Sequence, residues 1–188
     1  MNKTKRKIFE TSMKLFSEKG YDATSIEEIT ATVGVAKGTL YYHFSSKEEI
    51  FNFLIEEGMK LLKNSIEIKT SKCDNVLDKI KAITLIQLKA IYKYENLLMI
   101  VLSQLWGNEA RNVFCKQKVM EYIQVIQDIV QEGIDNGDIV KCNAEILASE
   151  IFSLTCSVLV YKRKAGMDEI DIHDIYENYE KTIFDKLK

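Results

Sequence analysis

The 188-residue sequence has no proline, only two histidines and a single tryptophan. Without proline the chain lacks the strongest breaker of helices, so long helices joined by short connections become the natural expectation. Most of its eight glycines stand where apolar periodicity stops, as helix ends require, and an all-α fold follows. His43 and His173 belong to no nucleophile and base grouping, and the sequence has neither a glycine-rich phosphate loop nor metal-ligand spacing. Neither an enzyme nor a resident cofactor or metal is expected. Cys73, Cys115, Cys142 and Cys156 form no C-x-x-C pair, which argues against a zinc site or a disulfide framework and for buried, reduced thiols.

Long apolar runs are also scarce. Membrane-spanning helices need about 20 apolar residues. The longest candidate, Ile151 to Tyr161, is interrupted by Ser153, Thr155 and Ser157, so no membrane span is expected. The charged N-terminus (Lys3, Lys5, Arg6, Lys7) lacks the apolar stretch of a secretory signal, which points to a cytoplasmic protein. Net charge is only −2, but it is unevenly placed: residues 1–47 carry eight basic against five acidic side chains, and the rest carries eighteen against twenty-three. The basic end is the candidate nucleic-acid end.

Local patterns there are sharp. Ile8, Ser12, Leu15 and Phe16, flanked by Phe9 and Met13, keep helical spacing up to Gly20, predicting a first helix over about Thr4–Lys19. Thr24 and Glu27 read as a capping box for a second helix whose Ile26, Ile29 and Val33 share a face, with Gly34 ending it. After the turn Gly34-Val35-Ala36 a third helix takes Lys37–Phe44, and Ser46 with Glu49 caps a fourth. Longer helices are predicted near 74–94, 97–106, 109–136, 144–164 and 171–187, with Ala82–Ile91 apolar on nearly all sides and therefore central.

Two short helices joined by a glycine-containing turn fit a helix-turn-helix. In the third helix Leu40 and Phe44 point one way and Tyr42 almost opposite, with Gly38 and Thr39 beside it. This outward face carries hydroxyls, an imidazole and an ammonium but no large aliphatic group. Thr39, Tyr41 and Tyr42 can donate to phosphate or touch thymine methyls, and Lys37 can reach a guanine edge. His43 suits a phosphate donor. Lys47 and the start of the second helix can hold phosphates at the flank. Tyr41 has a packing alternative, Lys47 could be plain surface, and the N-terminal basic cluster could be a solvated tail.

The run TSIEEITATVGVAKGTLYYHFSSK, Thr24 to Lys47, resembles the N-terminal signature of the TetR family of transcriptional regulators, and the likeness is dense over about 45 N-terminal residues. The resemblance implies nine helices, the first three binding DNA, the fourth linking the domains, and the last two pairing in a four-helix dimer interface. It places Thr24 or Ser25, Lys37, Gly38, Thr39, Tyr41, Tyr42, His43 and Lys47 at DNA-contacting positions. Ala36 departs from the serine common in the family, weakening that cap by ~1 kcal/mol. Glu27, acidic near the expected groove, leaves the second helix without an evident base contact.

The expected domains are residues 1–47, a helix-turn-helix DNA-binding domain, and 48–188, a ligand-binding and dimerisation domain. Tyr92, Met99, Trp106, Phe114, Tyr122 and Phe152 are candidate ligand contacts, with core packing the competing role for each and Tyr161, Gln87, Gln104, Ser153 and Thr155 nearby in the pattern. Ile172, Ile175, Tyr176, Tyr179 and Ile183 stripe the last helix and, with Ile151–Tyr161, form a candidate dimer face. The expected function is a repressor that binds a near-palindromic double-stranded DNA operator as a homodimer and is released by a small molecule. The alternative is a helical adaptor or structural protein without specific DNA binding.

Overall fold

In the computed structural model, which describes residues 2–165 and 171–187, the expected all-α architecture is present and no strand occurs among those residues. Eight α-helices follow in order: α1 Lys3–Lys19, α2 Ile26–Val33, α3 Lys37–His43, α4 Lys47–Thr70, α5 Val76–Ser103, α6 Ala110–Asn136, α7 Ala144–Ala165 and α8 Ile172–Thr182, followed by a 3₁₀ turn, Phe184–Lys186. Nine helices were expected. The difference lies in α5, where the predicted segments 74–94 and 97–106 join into one rod kinked at Tyr94 (φ −129°, ψ 34°).

The chain forms two compact units, Met1–Met59 with Tyr94–Lys118, and Lys60–Lys93 with Val119–Lys188. Helices α4, α5 and α6 each contribute to both. In the first unit Ile8, Phe16, Ile29, Leu40, Phe44, Ile50, Phe51 and Leu54 form the core. The rings of Phe16, Tyr21 and Phe51 pack at 5.3–6.4 Å, and those of Phe9, Phe53 and Phe44 continue the cluster. The N-terminal basic cluster is helical rather than a tail: Asn2 caps α1 by accepting from the Lys5 amide, and the Lys5 ammonium lies 4.5–4.7 Å from the Phe53 and Phe44 ring centres.

Capping chemistry shifts by one residue from the predicted registers. Ser25, not Thr24, caps α2, its Oγ accepting from Glu28 N at 3.0 Å. At α4 the Ser46 hydroxyl accepts from Glu49 N as predicted, but the Glu49 carboxylate reaches back to the amide and hydroxyl of Ser45. Ala36 at the start of α3 makes no side-chain cap bond. Ala36→Ser should therefore raise stability by ~1 kcal/mol, which is a rise of a few degrees in a thermal melt.

In the second unit Ile80, Ile83, Leu88, Ile91, Tyr122, Ile126, Val130, Leu147, Ala148 and Ile151 are buried, so Ala82–Ile91 is central as expected, with Lys89 alone fully outward in it. Lys79–Glu132 and Lys81–Glu180 ion pairs at 2.7 and 2.9 Å tie α5 to α6 and α8. Tyr179 is turned into its own chain, its hydroxyl on Ser157 Oγ and the Leu154 carbonyl. The apolar stripe of α8 is thus partly spent internally, while Ile146, Val160 and Tyr161 stay exposed on α7. The Thr155 side chain lies outside the described residues.

By length and composition alone Ala144–Lys162 is long and apolar enough to cross a membrane, as core helices of soluble proteins also are, so it does not overturn the expectation of no span. The expectation of buried thiols does need correction. Of the four cysteines only Cys115 is buried; Cys142 is exposed, and Cys73 and Cys156 are half-buried. All four are free, and burial pushes the Cys115 thiol up to about 11, out of the reactive range.

Candidate nucleic-acid interface

The second and third helices are joined by a turn that only a residue tolerant of left-handed geometry can make. Gly34 sits at φ +77°, ψ 40°, and its amide and that of Val35 both return to the Thr30 carbonyl, closing α2 at 2.9 and 3.0 Å. Helix α3 then packs against α1 and α2 through Leu40, with Phe44 buried just beyond its end, so the face opposite is fixed by what is beneath it.

That face is open. Tyr42 is 83% exposed and Tyr41 44%; Lys37 and Gly38 are exposed, and Thr39 and His43 are half-buried. The His43 ring meets Tyr42 edge-on at 5.0 Å. A side chain built at Gly38 would meet nothing within 4 Å, leaving room for a surface to approach the backbone. Lys37 Nζ lies 2.5 Å from Glu27 Oε1, which joins the starts of α2 and α3. That hydrogen bond holds the Glu27 carboxyl below its ordinary range and raises the Lys37 ammonium above its own.

Ser25 is exposed at the start of α2, whereas two other sequence candidates are placed differently. Thr24 is 1% exposed, and its hydroxyl donates to the Gly20 carbonyl at 2.9 Å and the Leu15 carbonyl at 3.3 Å, binding the end of α1 to the α2 start. Lys47 is half-buried and donates to the carbonyls of Tyr21 and Thr24, both at 2.8 Å, with its ammonium 4.3 Å from the Tyr21 ring centre. Both brace the α1–α2 corner from inside.

The ligand candidates are not gathered in one place. Met99, Trp106 and Phe114 fall in the first unit, and Tyr92, Tyr122 and Phe152 in the second. Trp106 is 79% and Tyr92 59% exposed, so neither lines an interior. Tyr122 is fully buried, edge-on to Phe152 at 6.1 Å, and its hydroxyl accepts from Gln87 Nε2 at 2.9 Å. Burial raises the Tyr122 phenol above its ordinary range and keeps it neutral. Gln87 Oε1 is buried without a hydrogen-bond partner. Among the described residues, no cluster of His, Cys, Asp or Glu is arranged to hold a metal ion. Arg111 and Asp22, for which the sequence offers no local signal, pair at 2.8 Å in the first unit.

A glycine-turned helix pair with an anchored inner face and a polar, protruding outer face on its second helix defines a helix-turn-helix DNA-binding protein. The chain belongs to the TetR family of bacterial regulatory proteins, whose model matches residues 8–54. It is 38% identical over 74 residues to IcaR of Staphylococcus aureus, the negative transcriptional regulator of the biofilm operon icaADBC. That match covers 39% of this chain and spans only 40% of IcaR. A Clostridium perfringens protein described as a regulator of fatty acid metabolism is 32% identical, covering 97% of this chain and 98% of its own, with a TM-score of 0.91. The fold is also that of FadR from Bacillus subtilis, solved with stearoyl-CoA, at 18% identity, TM-score 0.83 and coverage of 97% and 99%.

Proposed function

We propose that this chain is a cytoplasmic repressor that binds a near-palindromic operator as a homodimer and leaves it when a fatty acyl thioester occupies its second unit. The observation that carries the DNA-reading part is the outer face of α3, where Tyr42 protrudes, its ring meeting only the neighbouring His43 edge-on, while Leu40 on the opposite side is fully buried. Lys37, Gly38, Thr39, Tyr41, Tyr42 and His43 form the reading surface, and Ser25 flanks it. Thr24 and Lys47 support it from within. A helix presented in this way enters the major groove, and a two-fold dimer presents two copies about one DNA turn apart, roughly 34 Å.

Dimerisation through α7 and α8 is supported on the α7 side by the exposed Ile146, Val160 and Tyr161, apolar side chains that a second copy would cover. The effector class rests on the Clostridium relative, similar over nearly its whole length, together with the chemistry of the second unit's interior. There the polar groups are neutral, Gln87 and Tyr122, in apolar surroundings. A buried acceptor without a partner next to a neutral phenol suits an uncharged polar group on a long apolar chain and is poorly suited to a free carboxylate.

The test is selection of duplexes from a randomised library by the wild-type protein, followed by titration of the selected duplex with and without stearoyl-CoA, and with free coenzyme A as control. Stearoyl-CoA should lower operator affinity at least about tenfold, a coupling of ordinary allosteric size, while free coenzyme A should not. Unchanged affinity would remove the acyl-thioester effector and leave the DNA-reading assignment standing. Failure to enrich any sequence would remove the latter.

A further inference from the structure

The start of α6 is built as a rigid corner. Asn112 Oδ1 accepts from the Glu109 amide at 3.0 Å, and its Nδ2 donates to the Gln104 carbonyl at 3.2 Å and to Gln104 Oε1 at 2.8 Å. Gly107 lets this happen, since a Cβ there would fall 2.4 Å from the Asn112 amide carbon. Lys116 Nζ closes the corner on the Gly107 carbonyl at 2.6 Å. Arg111 projects from this corner with its side chain only 15% exposed. It donates to Glu109, to Gln104 Oε1 at 3.3 Å and to Asp22 Oδ2 at 2.8 Å, and its guanidinium carbon lies 4.7 Å from the Tyr21 ring centre.

Tyr21 and Asp22 belong to the α1–α2 connection. Tyr21 also carries the Lys47 ammonium against its ring and, through its carbonyl, one of the two bonds that hold Lys47 at the start of α4. One ring thus has a cation from α6 and a cation from α4 within 5 Å, and the backbone it belongs to leads directly into Thr24 and the α2 cap. Helix α6 continues to Asn136 and carries Tyr122.

We propose that Arg111 is a positioning residue for operator binding: through Asp22 and Tyr21 it holds the α1–α2 connection, and with it the start of α2, against the start of α6. Arg111 does not touch DNA in this account. Its guanidinium is suited to the task because it bridges two carboxylates and a ring face at once, which an ammonium at the same place cannot do. The inference rests on the DNA-reading proposal above.

The test compares wild type, Arg111→Gln, Arg111→Lys, Asp22→Asn and the Arg111→Gln/Asp22→Asn double variant. Each is titrated with the selected duplex and a scrambled duplex across a salt series, with concentrations corrected for folded fraction from thermal melts. The readout is the ratio of selected to scrambled affinity. Arg111→Gln and Arg111→Lys should each lower it about fivefold, the size of an ordinary coupling between contacting residues. The salt slope should stay unchanged, and the double variant should be no worse than Arg111→Gln alone. An unchanged ratio, additive losses, or full retention in Arg111→Lys would overturn the proposal. So would a salt slope reduced by about one, which would make Arg111 a phosphate contact. A wild-type protein that does not discriminate between the duplexes would sink the DNA-reading assignment itself, and this one with it.

Discussion

Tyr42→Ala should weaken binding to the selected operator on the order of 30-fold or more, because a side chain reading a base edge is worth roughly 1–3 kcal/mol and a dimer loses two of them. Folding stability should move by no more than about 0.5 kcal/mol, since the ring is 83% exposed and only its edge-on contact with His43 is lost. The informative partner is Leu40→Ala, on the same helix and 0% exposed. Truncating that buried leucine costs about 2–5 kcal/mol and should take DNA binding down together with the melt of the head. Titration and thermal unfolding on the two variants separate reading from folding. If Tyr42→Ala binds the operator as wild type does, α3 is not the reading helix.

Which parts of this arrangement were legible depended on how far apart in sequence the interacting residues lie. The helix pair and its turn were readable because every signal is local: Gly34 ends α2 where the periodicity says it must, and Leu40 and Phe44 are buried as their spacing requires. Cap registers slipped because Thr24-Ser25 and Ser45-Ser46 each offer two adjacent hydroxyls. The competing bonds of Thr24 to Leu15 and Gly20 are made only once α1 is in place. Lys47 looked like a phosphate ligand for the same reason, since its acceptors, the Tyr21 and Thr24 carbonyls, lie 26 and 23 positions away. The Arg111–Asp22 pair, 89 positions apart, had no sequence signal at all. In the second unit apolar spacing marked the core, but spacing cannot tell which aromatic residues turn inward. Tyr122 did and Tyr92 did not.

Glu27 is where local charge and expected function conflict, and the conflict predicts a gain. In the free protein the Lys37 ammonium, part of the reading surface proposed above, is held by Glu27, and both side chains are more than half exposed. Binding DNA through Lys37 means giving up that pair, and the freed carboxylate then faces phosphates. Correct base contacts compensate for this on an operator; on arbitrary sequence nothing does. Glu27→Gln should therefore raise affinity for a scrambled duplex by about tenfold at low salt and steepen its salt dependence by about one counterion for each head, since Lys37 now acts on the backbone. Affinity for the selected duplex should rise less, so discrimination falls. Lys37→Gln should move scrambled binding the opposite way. These signs are expected if Glu27 holds Lys37 back from nonspecific contacts. A Glu27→Gln protein that binds scrambled DNA no better than wild type would show that the pair is only a surface ion pair, with no part in discrimination.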